Sequence, residues 1–328
     1  MIGRRGALAL GLALAPALAL TGATGARAEA WPQRPLRLVV PFPPGGATDV
    51  TARLFAAGLA EELKQTVVVD NKPGAAGAIG IAQVAKARPD GYTLGVGGVG
   101  PIAILPATDG TLAYDPARDL RIVAGLSLVD FILVARPGFP ATTVDALIAR
   151  AKAEPGRLTY SSAGVAGPQQ LMVEHLAALA DIRLVHVPFA GDSPAVAAVA
   201  AGEVDLALAG AASALPLIKA GKLVALAAGS GRLPGLPDLP SVAEQTGFRD
   251  FLGRTWNILV VPKETPDPIV ARLEAAAAAL ADQPGFAARL AEIGLRPMPG
   301  DGAAITRLVA DDSARYRAVI ERIGLRRE

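Results

Sequence analysis

Residues 36–40, 66–70 and 92–96 (LRLVV, TVVVD and YTLGV) are short apolar runs bounded by glycine, proline and polar residues, the pattern of buried strands. Between the first two, residues 49–64 place Val50, Leu54, Leu59 and Leu63 near helical spacing, and residues 75–87 predict a second helix. The alternation continues. Strands are expected at 131–135, 158–161, 183–187, 204–209, 223–226 and 257–261. Helices are expected at 143–153, where Thr143 can cap and Pro155-Gly156 ends the run, at 168–180 and at 194–201. Residues 233–240 (LPGLPDLP) hold too many prolines for an element and read as a crossing loop. The alanine-rich stretch 270–282 predicts a helix, with Ile269, Leu273 and Leu280 on its apolar side. Strands alternating with helices predict an α/β protein with mostly parallel sheets and right-handed crossovers.

The chain's 328 residues exceed what one hydrophobic core usually serves, so two domains are expected. Residues 1–28 stand apart. Arg4 and Arg5 precede an apolar run, and Ala26-Arg27-Ala28 forms an A-x-A site, the layout of a cleaved secretory signal on the Sec or Tat route. The apolar run is short for a membrane span. The formal charge of +2 includes Arg4, Arg5 and Arg27; without them it becomes about −1, which removes the main motive for binding nucleic acid. With no cysteine and only two histidines, neither a disulfide framework nor a metal site is expected.

Candidate chemistry gathers at bends. In residues 39–50 (VVPFPPGGATDV) a strand meets two prolines and two glycines, and a helix follows. Gly45 and Gly46 permit close approach, and Thr48 or Asp49 can cap the helix. A helix start offers unpaired amides at the positive end of its dipole, which suits an anion; a tight turn with an ordinary cap is the alternative. Residues 71–80 (NKPGAAGAIG) and 161–170 (SSAGVAGPQQ) repeat the arrangement. Such bends lie where open α/β sheets bind ligands, and three of them favour a cleft lined by backbone amides. Competing motifs are weaker. Residues 95–100 (GVGGVG) match a dinucleotide fingerprint in form, but Pro101 and Pro106 follow where a long helix should open. His175 and His186 have no visible catalytic partner and read as structural histidines, and no nucleophile–base pair stands at recognisable spacing.

Residues 40–49 (VPFPPGGATD) resemble the V-P-F-x-P-G-G-x-T-D signature of Bug-type (TctC-like) solute receptors, the periplasmic binding proteins of tripartite tricarboxylate transporters. Further matching blocks run in order from Trp31 to about Pro299, among them VDNKPG (69–74), PDGYTL (89–94), LTYSSAG (158–164), VHVPF (185–189) and LPDLPSVAE (236–244). The resemblance implies a two-domain periplasmic-binding-protein fold, a type II-like Venus flytrap. Its first domain would comprise residues 31–133 plus 251–328 and its second residues 134–250. It also implies a monomer without cofactor, catalytic residue or metal, working with membrane permease subunits. The implied ligand is a small organic carboxylate held by main-chain amides and ordered water.

Candidate binding residues under this reading are Phe42, Gly45, Gly46, Ala47, Thr48 and Asp49 at the first bend. Ala75, Gly77, Ala78 and Gly98 follow, then Gly164, Val165, Ala166 and Gly167, then Phe189, Asp192 and Trp256. Asp49 also reads as a helix cap and Trp256 as core. The chain departs from the family where relatives often carry polar side chains: Ala78, Val165 and Gly167 stand there instead, and Asp192 stands where a hydroxyl is frequent. A pocket with fewer donors predicts a ligand whose far end is less polar than citrate or malate. Asp192, if it faces the cleft, would repel a distal anion and favour an amine or hydroxyl; capping the next helix is its alternative role. A sensing receptor for a two-component system and a periplasmic enzyme are the competing functional classes.

Overall fold

A computed structural model describes residues 31–325; the expected leader, residues 1–28, lies outside them. In chain order the strands are β1 (Leu36–Val40), β2 (Val67–Asn71), β3 (Thr93–Gly98), β4 (Leu120–Ala135), β5 (Thr159–Ser162), β6 (Val185–Pro188), β7 (Leu206–Gly210), β8 (Val224–Ala228), β9 (Arg254–Pro262) and β10 (Leu295–Pro297). The helices are α1 (Ala47–Leu63), α2 (Ala78–Ala85), α3 (Leu105–Thr108), α4 (Pro116–Asp119), α5 (Val144–Ala153), α6 (Pro168–Ala180), α7 (Asp192–Ala200), α8 (Ala211–Lys219), α9 (Val242–Thr246), α10 (Asp267–Ala281), α11 (Pro284–Glu292) and α12 (Gly302–Ile323).

Strand order is β2-β1-β3-β9-β4-β7-β5-β6, with β8 and β10 also pairing β4. The βαβ units pair in parallel, β1 with β2 and β3, and β5 with β6 and β7. Strands β4 and β9 add antiparallel ladders, so the sheet is mixed. The reason is β4, which runs for 16 residues. Leu120 to Asp130 pairs with β9, and Phe131 to Ala135 pairs with β7 and β8. One strand thus belongs to both halves of the molecule. Only its last five residues are expected from the sequence. Its first part hides because Gly125, Ser127 and Asp130 interrupt the apolar run and two register shifts break the alternation.

The first half buries both sheet faces. Leu36, Leu38 and Val40 point to a core shared with α1 and α10, through Phe55, Leu59 and Leu273. Val39, Ile258 and Val260 point the other way, into a cluster that includes Val309, Tyr316 and Ile320 of α12 and extends to Leu171 and Leu176 of α6. This two-residue period with both faces covered explains the nearly continuous apolar runs. Helix α12 also reaches the second half directly, Arg322 donating to Ala178 O at 2.7 Å.

The chain crosses between halves along β4 and again just before β9. The second crossing meets the end of β8 through bare backbone: a methyl on Gly253 would lie 2.0 Å from Gly229 O, and one on Gly229 would lie 2.2 Å from Gly253 O. Gly229 N–H donates to Phe131 O at 2.8 Å beside them. We expect Gly253→Ala to cost about 1–3 kcal/mol or more through backbone overlap. Gly285→Ala, with nothing within 4 Å of the added methyl, should stay within about 0.5 kcal/mol of the parent. Chemical denaturation of the two variants checks this, and equal stability would contradict the crossing geometry.

Both histidines sit in structural roles, His175 buried and His186 half-buried. His175 accepts from Leu252 N–H at 3.4 Å and stacks on Phe251, and His186 meets the Ser162 hydroxyl at 2.6 Å and stacks on Tyr160. Burial holds both below the ordinary histidine value; for His175 the Arg322 and Arg315 charges add to it, against Asp250. A histidine with a lowered folded pKa binds fewer protons folded than unfolded, so its stabilising contribution is present above the unfolded value and lost as pH falls. Melting temperature should therefore drop as pH falls from about 6.5 toward the folded value. Scans of the parent and of a His175→Asn/His186→Asn variant check this: the variant should show the shallower slope.

Candidate functional site

A cavity of about 470 Å³ lies between the halves, in the size range of small-molecule sites. Its first-half wall is Phe42, Gly45 to Thr48, Gly98 to Gly100 and β9 residues Thr255 to Asn257. Its second-half wall is built from Pro168 and Gln169, Asp192 and Ser193, and Gly210 to Ser213. Val129 and Phe131 of β4 join the two, and Gly294 and Leu295 close one side. Gly294, at φ +70°, sits so near α8 that a methyl there would lie 2.7 Å from Ala212 N.

Four helices start at this cavity, α1, α6, α7 and α8, and each has a glycine at its N-cap: Gly46, Gly167, Gly191 and Gly210. None receives a side-chain cap. The first helical bonds begin only at Val50, Leu171 and Ala195, which donate to Gly46 O, Gly167 O and Gly191 O. Serine, threonine, asparagine or aspartate at these positions would satisfy first-turn amides from within; glycine leaves them for a ligand. No lysine, arginine or histidine lines the cavity among the described residues. Positive potential there comes from helix ends.

The first bend is braced from below. Asp49, expected as a cap or ligand contact, is buried and stands outside the lining. It accepts from Gly45 N–H at 2.9 Å, Asn71 Nδ2 at 2.8 Å and Arg53 Nε at 2.9 Å, tying the loop to β2. Burial pushes its carboxyl upward, but bonds from Arg53, Gly45 and Asn71 prevail and hold it below the usual value. The Gly45 amide is thereby spent. Thr48 Oγ1 donates to Asn257 Oδ1 at 2.9 Å, and Asn257 Nδ2 donates to Ser127 Oγ at 2.9 Å. With its proton so committed, the Thr48 hydroxyl orients the bend rather than donating into the cavity.

Of the residues expected at the site, Phe42, Gly45, Gly46, Ala47, Thr48, Gly98, Asp192 and Trp256 meet in the lining. Trp256 is 1% exposed, and its Nε1–H donates to Asp312 at 3.1 Å, so most of it serves the core. Ala75, Gly77 and Ala78 do not line the cavity; a methyl on Gly77 would lie 3.3 Å from the Phe42 ring. Their stretch is a 3-10 turn, Ala75–Gly77, before α2, not the start of one long helix. Gly164, Val165, Ala166 and Gly167 do not line the cavity because their loop folds on itself. Gly164 N–H goes to Ser162 Oγ at 3.2 Å and Ala166 N–H to Gln170 Oε1 at 2.7 Å, while Val165 is 68% exposed. Phe189 packs beside the cluster of Val196 and Ala209 rather than on the cavity.

Asp192 faces the cavity. It is the first residue of α7, yet it makes no cap; it reaches across to α6 and α8. Sequence reasoning missed Asn257 as a polar wall, Gln169, and the whole of α8 with Gly210 and Ser213. Pro216 inside α8 breaks the pattern that would have marked it. Gly210 ahead of a run of small residues was the available signal.

The chain matches the family model described as "Tripartite tricarboxylate transporter family receptor" over residues 51–325. A UPF0065 protein of Bordetella pertussis is 34% identical over 93% of this chain and 94% of its own length. Rpa4515 of R. palustris, solved with adipate, superposes with a TM-score of 0.79 at 33% identity, over 90% of this chain and 99% of that one. MatC of Rhodopseudomonas palustris, solved with bound malate, gives 0.75 at 32% over 88% and 100%. The periplasmic binding protein BugD gives 0.76 at 30% over 91% and 100%.

A carboxylate built into a glycine cap should compete with an anion for the same amides. Gly46 has an extended backbone and open space where a side chain would go. Gly46→Asp should hold or raise the melting temperature, since an aspartate cap exceeds glycine by a few tenths of a kcal/mol. The same change should lower carboxylate affinity about tenfold or more. Thermal melting and titration of one preparation read both; unchanged affinity would mean the α1 start is not used.

Proposed function

Because the chain belongs to the receptor family of tripartite tricarboxylate transporters, we propose that it is a periplasmic solute receptor binding a small organic carboxylate and delivering it to membrane permease subunits. The observation that carries the reading is the set of four uncapped helix starts around one cavity that no lysine, arginine or histidine lines among the described residues. Such an environment holds a negative oxygen with amides fixed by the fold, so little reorganisation is needed on binding. That relatives of the same fold are solved with adipate and malate supports a carboxylate as the bound group.

Within this reading the domains are residues 31–133 with 251 onward, and residues 134–250. The change of ladder partner along β4 at Phe131 and the start of β9 at Arg254 support that division. Ligand binding shifts the molecule toward closure only through contacts that favour the closed state, and amides on both walls supply them. The receptor acts by binding and release, not by turnover, and as a monomer.

Native mass spectrometry of protein purified from its host tests the proposal, followed by a thermal-shift screen of organic acids on the stripped protein. The expected result is a retained small acid that raises the melting temperature when added back. Absence of any stabilising carboxylate, together with a retained cation or neutral sugar, would overturn it.

A further inference from the structure

Three of the four uncapped helix starts belong to the second half and surround Asp192. Its Oδ1 accepts from Gln169 Nε2 at 3.1 Å and from Gly210 N–H at 3.4 Å, and the Ser213 hydroxyl donates to Oδ2. One donor comes from the first turn of α6, one from the N-cap of α8 and one from the first turn of α8. A methyl on Gly210 would lie 3.1 Å from Oδ2, so the carboxylate is packed close on the bare α8 start. Asp192 is also the single ionisable side chain in the lining among the described residues.

Resting on the carboxylate-receptor reading, we propose that Asp192 fills from within the anion position that the second half would otherwise offer. The cavity then takes ligands with one carboxylate, at the α1 start, and a far end that carries a hydrogen-bond donor and no second negative charge. The physical grounds are direct. Helix starts and neutral donors around Asp192 already face a full negative charge, so a second carboxylate brought there finds its donors occupied and a like charge beside it. Among the described residues no cationic side chain lines the cavity to offset that repulsion. A carboxylate offers about four acceptor positions. Three are used here, and one remains for a hydroxyl, amide or ammonium of the ligand.

Calorimetric titration of the stripped protein at neutral pH tests this with two length-matched sets. One set is adipate, 6-hydroxyhexanoate and 6-aminohexanoate; the other is succinate, 4-hydroxybutyrate and 4-aminobutyrate. In whichever set binds better, the donor-ended monocarboxylate should bind about tenfold or more tighter than the dicarboxylate. Asp192→Ser should raise dicarboxylate affinity by about tenfold or more and erase that preference. Asp192→Asn, which keeps the side-chain shape, should move it the same way. A parent protein that prefers the dicarboxylate overturns the inference and leaves the receptor reading standing, as does a preference that neither substitution changes. Failure of every carboxylate in both sets to bind the parent protein strikes the receptor reading itself.

Discussion

The structure depends on leaving backbone amides unsatisfied at chosen places. A helix start normally quenches its exposed N–H groups with a neighbouring serine, threonine, asparagine or aspartate. At α1, α6, α7 and α8 glycine stands in that position, and all four starts border one cavity. Of the other helices, α4, α5, α9 and α12 keep side-chain caps, with Asp115, Thr143, Ser241 and Asp301 each accepting a first-turn amide, whereas α2, α3, α10 and α11 do not. What sets α1, α6, α7 and α8 apart is that their glycine-led starts meet at one cavity, whereas the α2 start after Gly77 stands outside it.

Convergence of those starts follows from topology. Each of the four helices leaves a strand or loop at the carboxyl edge of its sheet, and β4 joins the two sheets so that these edges face each other. The polar groups that hold the first bend lie in the cavity wall, at Thr48 and Asn257, and just behind it, at Asp49, Asn71 and Ser127. Asp49 binds the Gly45 amide and Asn71, and Asn257 bridges Thr48 to Ser127. A buried carboxylate is costly unless its acceptors are filled; Asp49 meets that condition and fixes the loop.

Much of this was legible in the sequence where local chemistry decides the outcome. Strand–glycine–helix bends announced α1 and α6, and Thr143 with Pro155-Gly156 bounded α5 closely. The bends did not reveal which amides were free. The loop at residues 164–167 looks as permissive as that at 43–46, yet its Gly164 and Ala166 N–H groups go to Ser162 and Gln170 and it stands outside the cavity lining, and only the folded geometry shows it. Helix α8 was hidden by Pro216, and most of β4 by its bulges and polar residues. Asp192 could be seen as a departure from the family pattern. Its reach across two neighbouring helices is a long-range arrangement that no local window contains.

The length of β4 has a bearing on how the protein can be built and taken apart. Because one unbroken strand supplies a rung to both sheets, neither half owns a complete core without it. Excision of either lobe would strip hydrogen-bonding partners from the other. The two should therefore melt as one cooperative unit rather than as separable modules.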